Sequence, residues 1–309
     1  MRIGIIDFGT NTIRLDIFET DEGGYRIIFD CPIFSRVVEN TIGNSLSQDG
    51  IEYAIQAIEE HQAACRHYRC DKIECFSTAS LRYIDNANSV LEQVAFRTGI
   101  NIKMISGEEE ASYDYRALKS ASHCESGVGC DLGGGSLQLF TFDRNGPTKS
   151  KSFPLGSSRM AKKFVSGKVP TVEEAAAIED FVKSELSAAG FVPVGKNLLA
   201  MGGTAKTVSR LYRTTVKTEG AISAAALSAM LKVLCEQPEE TVELLNDIEP
   251  KRAQTLTPGL AVLDAVVSYM DCPFIEVFSV GVREGFLEAL IESPQEQPQD
   301  LLGYILGMI

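Results

Sequence analysis

Apolar and polar positions alternate with a period of two through residues 1–34, interrupted at two polar turns. Residues 2–6 and 13–18 flank Asp7-Phe8-Gly9-Thr10-Asn11-Thr12. Asp21-Glu22-Gly23-Gly24 then leads into a third run, so the segment predicts three antiparallel strands. The plan recurs at 127–160. There Gly127-Val128-Gly129-Cys130 precedes Asp131-Leu132-Gly133-Gly134-Gly135-Ser136, and Leu137-Gln138-Leu139-Phe140-Thr141-Phe142 follows. Each copy continues through a proline (Pro32, Pro154), an arginine (Arg36, Arg159) and a helical stretch. Each then reaches a strand ending in Ser77-Thr78-Ala79 or Gly203-Thr204-Ala205. A repeat this long predicts two similar domains rather than a solenoid.

Between these strands the period changes to that of helices. Ser47 or Asp49 caps a helix to about residue 67, with Ile51, Ala54, Ile55 and Ile58 on one face. Further helices are expected at 87–98, 171–189, 207–212, 222–236, 238–246, 258–270 and up to 291, with a terminal helix at the end of the chain. Strands are expected at 72–76, 101–105, 197–201 and 274–277. Ser106 and Glu109 have capping-box spacing at the start of another helix, which gives Glu109 a structural task and leaves Glu108 and Glu110 in the first turn.

The turns are the candidate chemistry. Three consecutive glycines permit positive φ and can gather several N–H groups at one point, a nest suited to phosphate oxygens. Asp131 at the rim can hold a divalent cation. A lone Gly-Gly-Gly is more readily an ordinary hairpin, but the plan appears twice, with Gly9, Thr10 and Asn11 at the equivalent turn. Ser77 and Arg82 at a strand-to-helix junction, and Gly203 and Thr204 at another, are further anion sites. Any of Glu108, Glu109 and Glu110 could serve as a general base at the crossover between domains.

Charge narrows the partners. A net charge of −13 over 309 residues argues against a broad nucleic-acid surface and against long-range steering of polyanions. Phosphates must therefore be met by local cations: Arg14, Arg36, Arg82, Arg159, Lys162, Lys163, Lys206, Arg210, Lys251, Arg252 and Arg283 are candidates. The eight cysteines lack disulfide-framework spacing, no secretory leader precedes the first strand, and no apolar run reaches membrane length. A cytoplasmic protein with reduced thiols and no membrane partner is expected. His61 and Cys65 share a helix face, but no second pair with zinc spacing follows, so a plain helix end is expected there.

In this order the motifs resemble the exopolyphosphatase / guanosine pentaphosphate phosphohydrolase (Ppx/GppA) family, in its short two-domain form. Asp7-Phe8-Gly9-Thr10-Asn11-Thr12-Ile13-Arg14-Leu15 is similar to D-I-G-S-N-S-x-R-L, Ser77-Thr78-Ala79-Ser80-Leu81-Arg82 to S-T-A-A-L-R, and Ile105-Ser106-Gly107-Glu108-Glu109-Glu110-Ala111 to I-S-G-x-E-E-A. Asp131-Leu132-Gly133-Gly134-Gly135-Ser136 is similar to D-I-G-G-G-S. Phe153-Pro154-Leu155-Gly156, Gly202-Gly203-Thr204-Ala205 and Val282-Arg283-Glu284-Gly285 resemble L-P-L-G, G-G-T-A and L-R-E-G.

The resemblance implies an α/β chain of two ribonuclease-H-like domains, in the fold group of actin, sugar kinases and heat-shock ATPases, with the site in the cleft between them. The expected division is 1–122 and 123–309, with the terminal helix able to pack back on the first domain. It also implies a magnesium-dependent phosphatase acting on polyphosphate or pppGpp, and a homodimer. Glu110 is the implied base, Arg82 meets phosphate and Asp131 takes metal; the expected mechanism holds Mg²⁺ near Asp7 and Asp131.

Two positions depart from the pattern, Gln138 where the family has Glu and Gln254 where it often has Asp. Each removes a carboxylate. The alternative is therefore a weak or inactive regulator that binds polyphosphate or alarmone. A small-molecule kinase of the same fold group is a further rival that three consecutive glutamates, suited to activating water, disfavour.

Overall fold

The computed structural model describes residues 1–10, 12–34, 40–216 and 220–292. Its first half runs β1 (Arg2–Phe8), β2 (Thr12–Asp21), β3 (Gly24–Phe34), a small hairpin of β4 (Thr41–Ile42) and β5 (Ser45–Leu46), α1 (Gln48–His67), β6 (Lys72–Ser77), α2 (Ala79–Arg82), α3 (Ala87–Thr98), β7 (Ile102–Met104) and α4 (Gly107–Ala121). The second half runs β8 (Gly127–Leu132), β9 (Leu137–Asp143), β10 (Gly146–Phe153), α5 (Ser157–Phe164), α6 (Val172–Ala188), β11 (Leu198–Met201), α7 (Gly202–Val216), β12 (Ile222–Ser223), α8 (Ala224–Glu236), α9 (Pro238–Ile248), a 3₁₀ turn (Pro250–Arg252), α10 (Leu256–Met270), β13 (Phe274–Val277) and α11 (Val282–Glu292). The expected terminal helix lies outside the described residues.

The expected repeat is present in the sheets. One has the order β3-β2-β1-β6-β7 and the other β10-β9-β8-β11-β13-β12. In each, an antiparallel trio is continued by parallel strands, β1 beside β6 and β8 beside β11. This is the ribonuclease-H-like arrangement, and the molecule is an α/β protein of two such lobes. The registers correspond too: Asp7 sits opposite Arg14, and Asp131 opposite Gln138. The two aspartates occupy equivalent places at the C-terminal ends of the two first strands.

Local chemistry fixes the helix starts. The Ser47 hydroxyl accepts from the Gly50 N–H, and Ile51, Ala54, Ile55 and Ile58 of α1 lie buried against the first sheet. Ser106 and Glu109 form the reciprocal capping box expected of them, as do Thr171 and Glu174 at α6. Helix α7 begins at Gly202, five residues earlier than the sequence pattern predicts.

Two helices exchange lobes. Ala111 and Leu118 of α4 pack with Phe140, Phe142, Leu199 and Met201 of the second sheet. Val282, Phe286 and Leu287 of α11 pack with Ile3, Ile5, Phe18 and Phe76 of the first. The two helices also lie against each other. A Cβ on Gly285 would fall 1.8 Å from the Tyr113 carbonyl oxygen, so only glycine permits this approach. Burying each such large apolar side chain is worth roughly 1.5–3 kcal/mol, so the exchange joins the lobes firmly at their base.

Candidate active site

The two polar turns meet at the cleft. The Gly9 N–H donates to the Thr12 carbonyl at 3.0 Å and the Gly133 N–H to the Ser136 carbonyl at 3.0 Å, closing both turns alike. None of Gly133, Gly134 and Gly135 adopts the left-handed conformation anticipated from the sequence. At Gly135 smallness serves proximity instead: a Cβ there would sit 2.4 Å from the Thr10 hydroxyl of the opposite turn. The carbonyls of Gly133 and Gly134 accept from Ser157 and Ser158 at the start of α5, at 2.9 and 3.0 Å, which fixes the second turn to its own lobe.

A cleft of about 150 Å³ opens between the turns. Asp7, Gly9, Thr10, Gly133, Gly134, Gly135 and Ser136 line it, together with Glu110, Asp131 and Gly203. The same wall carries Arg14, Lys206, Arg252 and Arg283, so four of the candidate cations converge there. Arg283 donates to Asp16 at 2.5 Å and to Asp7 at 3.2 Å, reaching from α11 into the first sheet.

Glu110 is 5% exposed. Its carboxylate accepts from Arg82 at 2.7 Å, and Arg82 also donates to the Ile105 carbonyl at 2.9 Å and the Ser152 hydroxyl at 3.2 Å. Ser152 in turn accepts from Gln138 at 3.0 Å, and Gln138 donates to Ser136 at 2.8 Å. One continuous chain thus ties Glu110 and Arg82 to the glycine turn of the other lobe. Burial pushes the Glu110 carboxyl up to about 8 against the pull of Arg82, and the nearby charges of Asp131 and Asp7 add to the rise. One turn further along α4, Asp114 is fully buried with neither carboxyl oxygen hydrogen-bonded, and burial first, then Asp131, raises its pKa.

The donor set fits a divalent cation. Burial raises Asp7 to about 6, Arg283 opposes this, and one of its oxygens, Oδ1, is buried without a hydrogen-bond partner. Burial also raises Asp131, against Lys206 and Arg283. Among the described residues no three His, Cys, Asp or Glu side chains converge as a complete cage. Two carboxylates facing a cleft, with the remaining ligands left to other oxygens and water, is a pattern that suits a hard divalent cation.

Other expected residues sit elsewhere. Asn11 and Arg36 lie outside the described residues. Ser77 is buried, with its hydroxyl against that of Ser80 at 3.0 Å, because the last residue of β6 turns inward beneath the cleft. Thr204 is likewise buried and packs against Gly259 of α10. Neither lines the cleft. Arg159 and Lys162 line an adjoining recess, and Lys163 stacks 3.4 Å over the Phe181 ring. His61 is buried against the Ile13 carbonyl at 3.0 Å, which gives it a structural partner. Ser152 and Asp16 were missed, since a serine or aspartate on a strand carries no motif and acquires meaning only from what the fold puts beside it.

A two-lobed cleft lined by two polar turns, two aspartates and a buried glutamate is the class of site that the fold and geometry define. The model of the Ppx/GppA phosphatase family matches residues 34–293, and the chain belongs to that family. It is 24% identical to Exopolyphosphatase 1 of Mycobacterium leprae over 95% of this chain and 90% of that protein. It is 23% identical to the putative exopolyphosphatase of Haemophilus influenzae over 93% and 91%. The crystal structure of the Aquifex aeolicus Ppx/GppA family member superposes with a TM-score of 0.80 at 24% identity, covering 96% of this chain and 99% of that one. An exopolyphosphatase from Cytophaga hutchinsonii superposes at 0.83 with 16% identity and the same coverage.

Proposed function

We propose that the protein hydrolyses terminal phosphoanhydride bonds, releasing phosphate from inorganic polyphosphate or from pppGpp. The observation that carries this reading is the buried Glu110, held by Arg82, in the lining of one cleft with the two polar turns. The terminal phosphoryl lies between the Gly9-Thr10 and Gly133–136 turns. Glu110 orients the attacking water and takes its proton as the new P–O bond forms and the anhydride P–O bond breaks. Arg82 holds Glu110 in place and adds positive charge beside the transferred group. A Mg²⁺ held by Asp7 and Asp131 would supply neutralisation of the non-bridging oxygens when bound. Compensating the charges of those aspartates also removes part of what pushes Glu110 upward and returns it toward the range of a working base. Positioning and electrostatics carry most phosphoryl-transfer catalysis, and the site is built for both.

Phosphate release from long-chain polyphosphate and from pppGpp, with and without Mg²⁺, tests the reading. Glu110→Gln is expected to lower Mg²⁺-dependent release by about 10²–10⁴-fold; turnover within about threefold of wild type would sink the assignment. The regulator reading has Gln138 in its favour, since its amide nitrogen is committed to Ser136 and Ser152 and adds no charge to a cation site. Tight binding with no release from either substrate would establish it. The cytoplasmic location expected from the sequence and the homodimer implied by the family resemblance belong to the same proposal, and light scattering of the purified chain checks the dimer. No helix among the described residues is long and apolar enough to cross a membrane.

A further inference from the structure

Helix α7 carries more than its glycine-rich start. Lys206, Arg210 and Arg213 recur at i, i+4 and i+7, placing three cations on one face along ~10 Å of helix axis. With Ser209, Thr214 and Ser279 they line an open groove of about 420 Å³. Lys206 also lines the cleft, so groove and cleft are joined at that side chain. Arg210 donates to the Ile248 carbonyl at 3.0 Å and to Glu249 at 2.7 Å, which fixes its guanidinium at the rim. Arg213 is exposed and has no carboxylate partner among the described residues. In a chain of net charge −13, a groove lined by cations and hydroxyls, with no acid and no aromatic ring among its described lining residues, is set apart from the surface around it.

We propose that this groove is a distal subsite for an extended linear polyanion: the phosphate units of an inorganic polyphosphate chain that trail behind the one in the cleft. The proposal rests on the hydrolase reading for the placement of the terminal unit, and deepens it by choosing a substrate. Glu110 lines the cleft and not the groove, and Lys206 lines both, so a chain whose last phosphate lies near Glu110 reaches the groove by passing Lys206. A nucleoside would call for a stacking ring, which this lining lacks. Repeated phosphates call for cations and hydroxyls at intervals, which it has.

The test compares kcat/KM for long-chain polyphosphate with that for tripolyphosphate, which is too short to fill both cleft and groove. Arg213→Glu is expected to lower the long-to-short ratio by about tenfold, mainly through the KM for the long chain, and Arg213→Lys to hold it within about twofold. An unchanged ratio in Arg213→Glu overturns the proposal. If the wild-type protein releases phosphate from neither substrate, the hydrolase reading fails, and the groove is then judged by the Kd of fluorescently labelled long-chain polyphosphate at fixed salt. Binding about tenfold weaker in Arg213→Glu supports the subsite; equal binding overturns it.

Discussion

Glu110 is held between opposed influences, burial and two neighbouring aspartates raising its pKa, and Arg82 lowering it. Burial is the largest, so the folded state keeps the proton to about pH 8, far above the ordinary value of 4.5, and Asp7 is raised to about 6 in the same direction. Both groups bind protons more tightly folded than unfolded. Their contribution to stability is therefore complete below the unfolded pKa values and is lost as pH rises through the folded ones. Without divalent cation, the denaturation midpoint is expected to fall as pH is raised from about 5 to about 9, and Glu110→Gln to flatten that fall. Identical slopes in the two proteins would show that Glu110 titrates normally. Adding Mg²⁺ should raise the midpoint most at high pH, where Asp7 and Asp131 are charged.

At the scale of elements, most of the strands and helix starts were legible because their causes are local. Period-two alternation marked β1 to β3 and β8 to β10, and the Ser106–Glu109 cap could be read from four residues. The start of α7 was not. Gly202 and Gly203 are poor helix formers, but the guanidinium of Arg252, distant in sequence, lies directly over Gly203, so packing overrides propensity there. The glycines of the second turn were expected to adopt positive φ and do not; at Gly135 the value of glycine is the room it leaves for Thr10 of the other turn, a contact between lobes that no local pattern carries. Ser77 and Thr204 belonged to the right motifs, but which way a side chain points at the end of a strand or on a helix is decided by the surrounding packing. The contact between α4 and α11 offers a direct check. Gly285→Ala places a Cβ against the Tyr113 carbonyl and is expected to cost about 3 kcal/mol or more in denaturant unfolding. A loss under about 0.5 kcal/mol would mean the two helices separate readily.

For the molecule as a whole, Arg283 is the electrostatic tie at the base of the cleft. It comes from α11 and meets Asp16, 1% exposed, and Asp7 on the first sheet. Removing it takes the ion pair from Asp7 and leaves Asp16 only the longer one to Arg14 at 3.4 Å, so Arg283→Met is expected to destabilise the protein by about 3 kcal/mol, read from urea unfolding at neutral pH. Arg283→Lys should recover only part, because an ammonium cannot reach both carboxylates in the planar geometry of the guanidinium. Wild-type stability in Arg283→Met would show that the exchanged hydrophobic contacts alone hold the lobes in register.

The return of α11 to the first sheet also sets a timetable. Ile3, Ile5, Phe18 and Phe76 leave the ribosome well before their cover from α11, Val282, Phe286 and Leu287. At roughly 5–20 residues per second, synthesis from residue 76 to residue 282 takes on the order of ten to forty seconds. Throughout that interval the nascent chain carries its first polar turn on a sheet whose α11-facing side is covered only in part, by Ile105 and Tyr113. The growing polypeptide is thus expected to lean on chaperones before its cleft is complete, and a message cut short before α11 is expected to yield an aggregation-prone fragment.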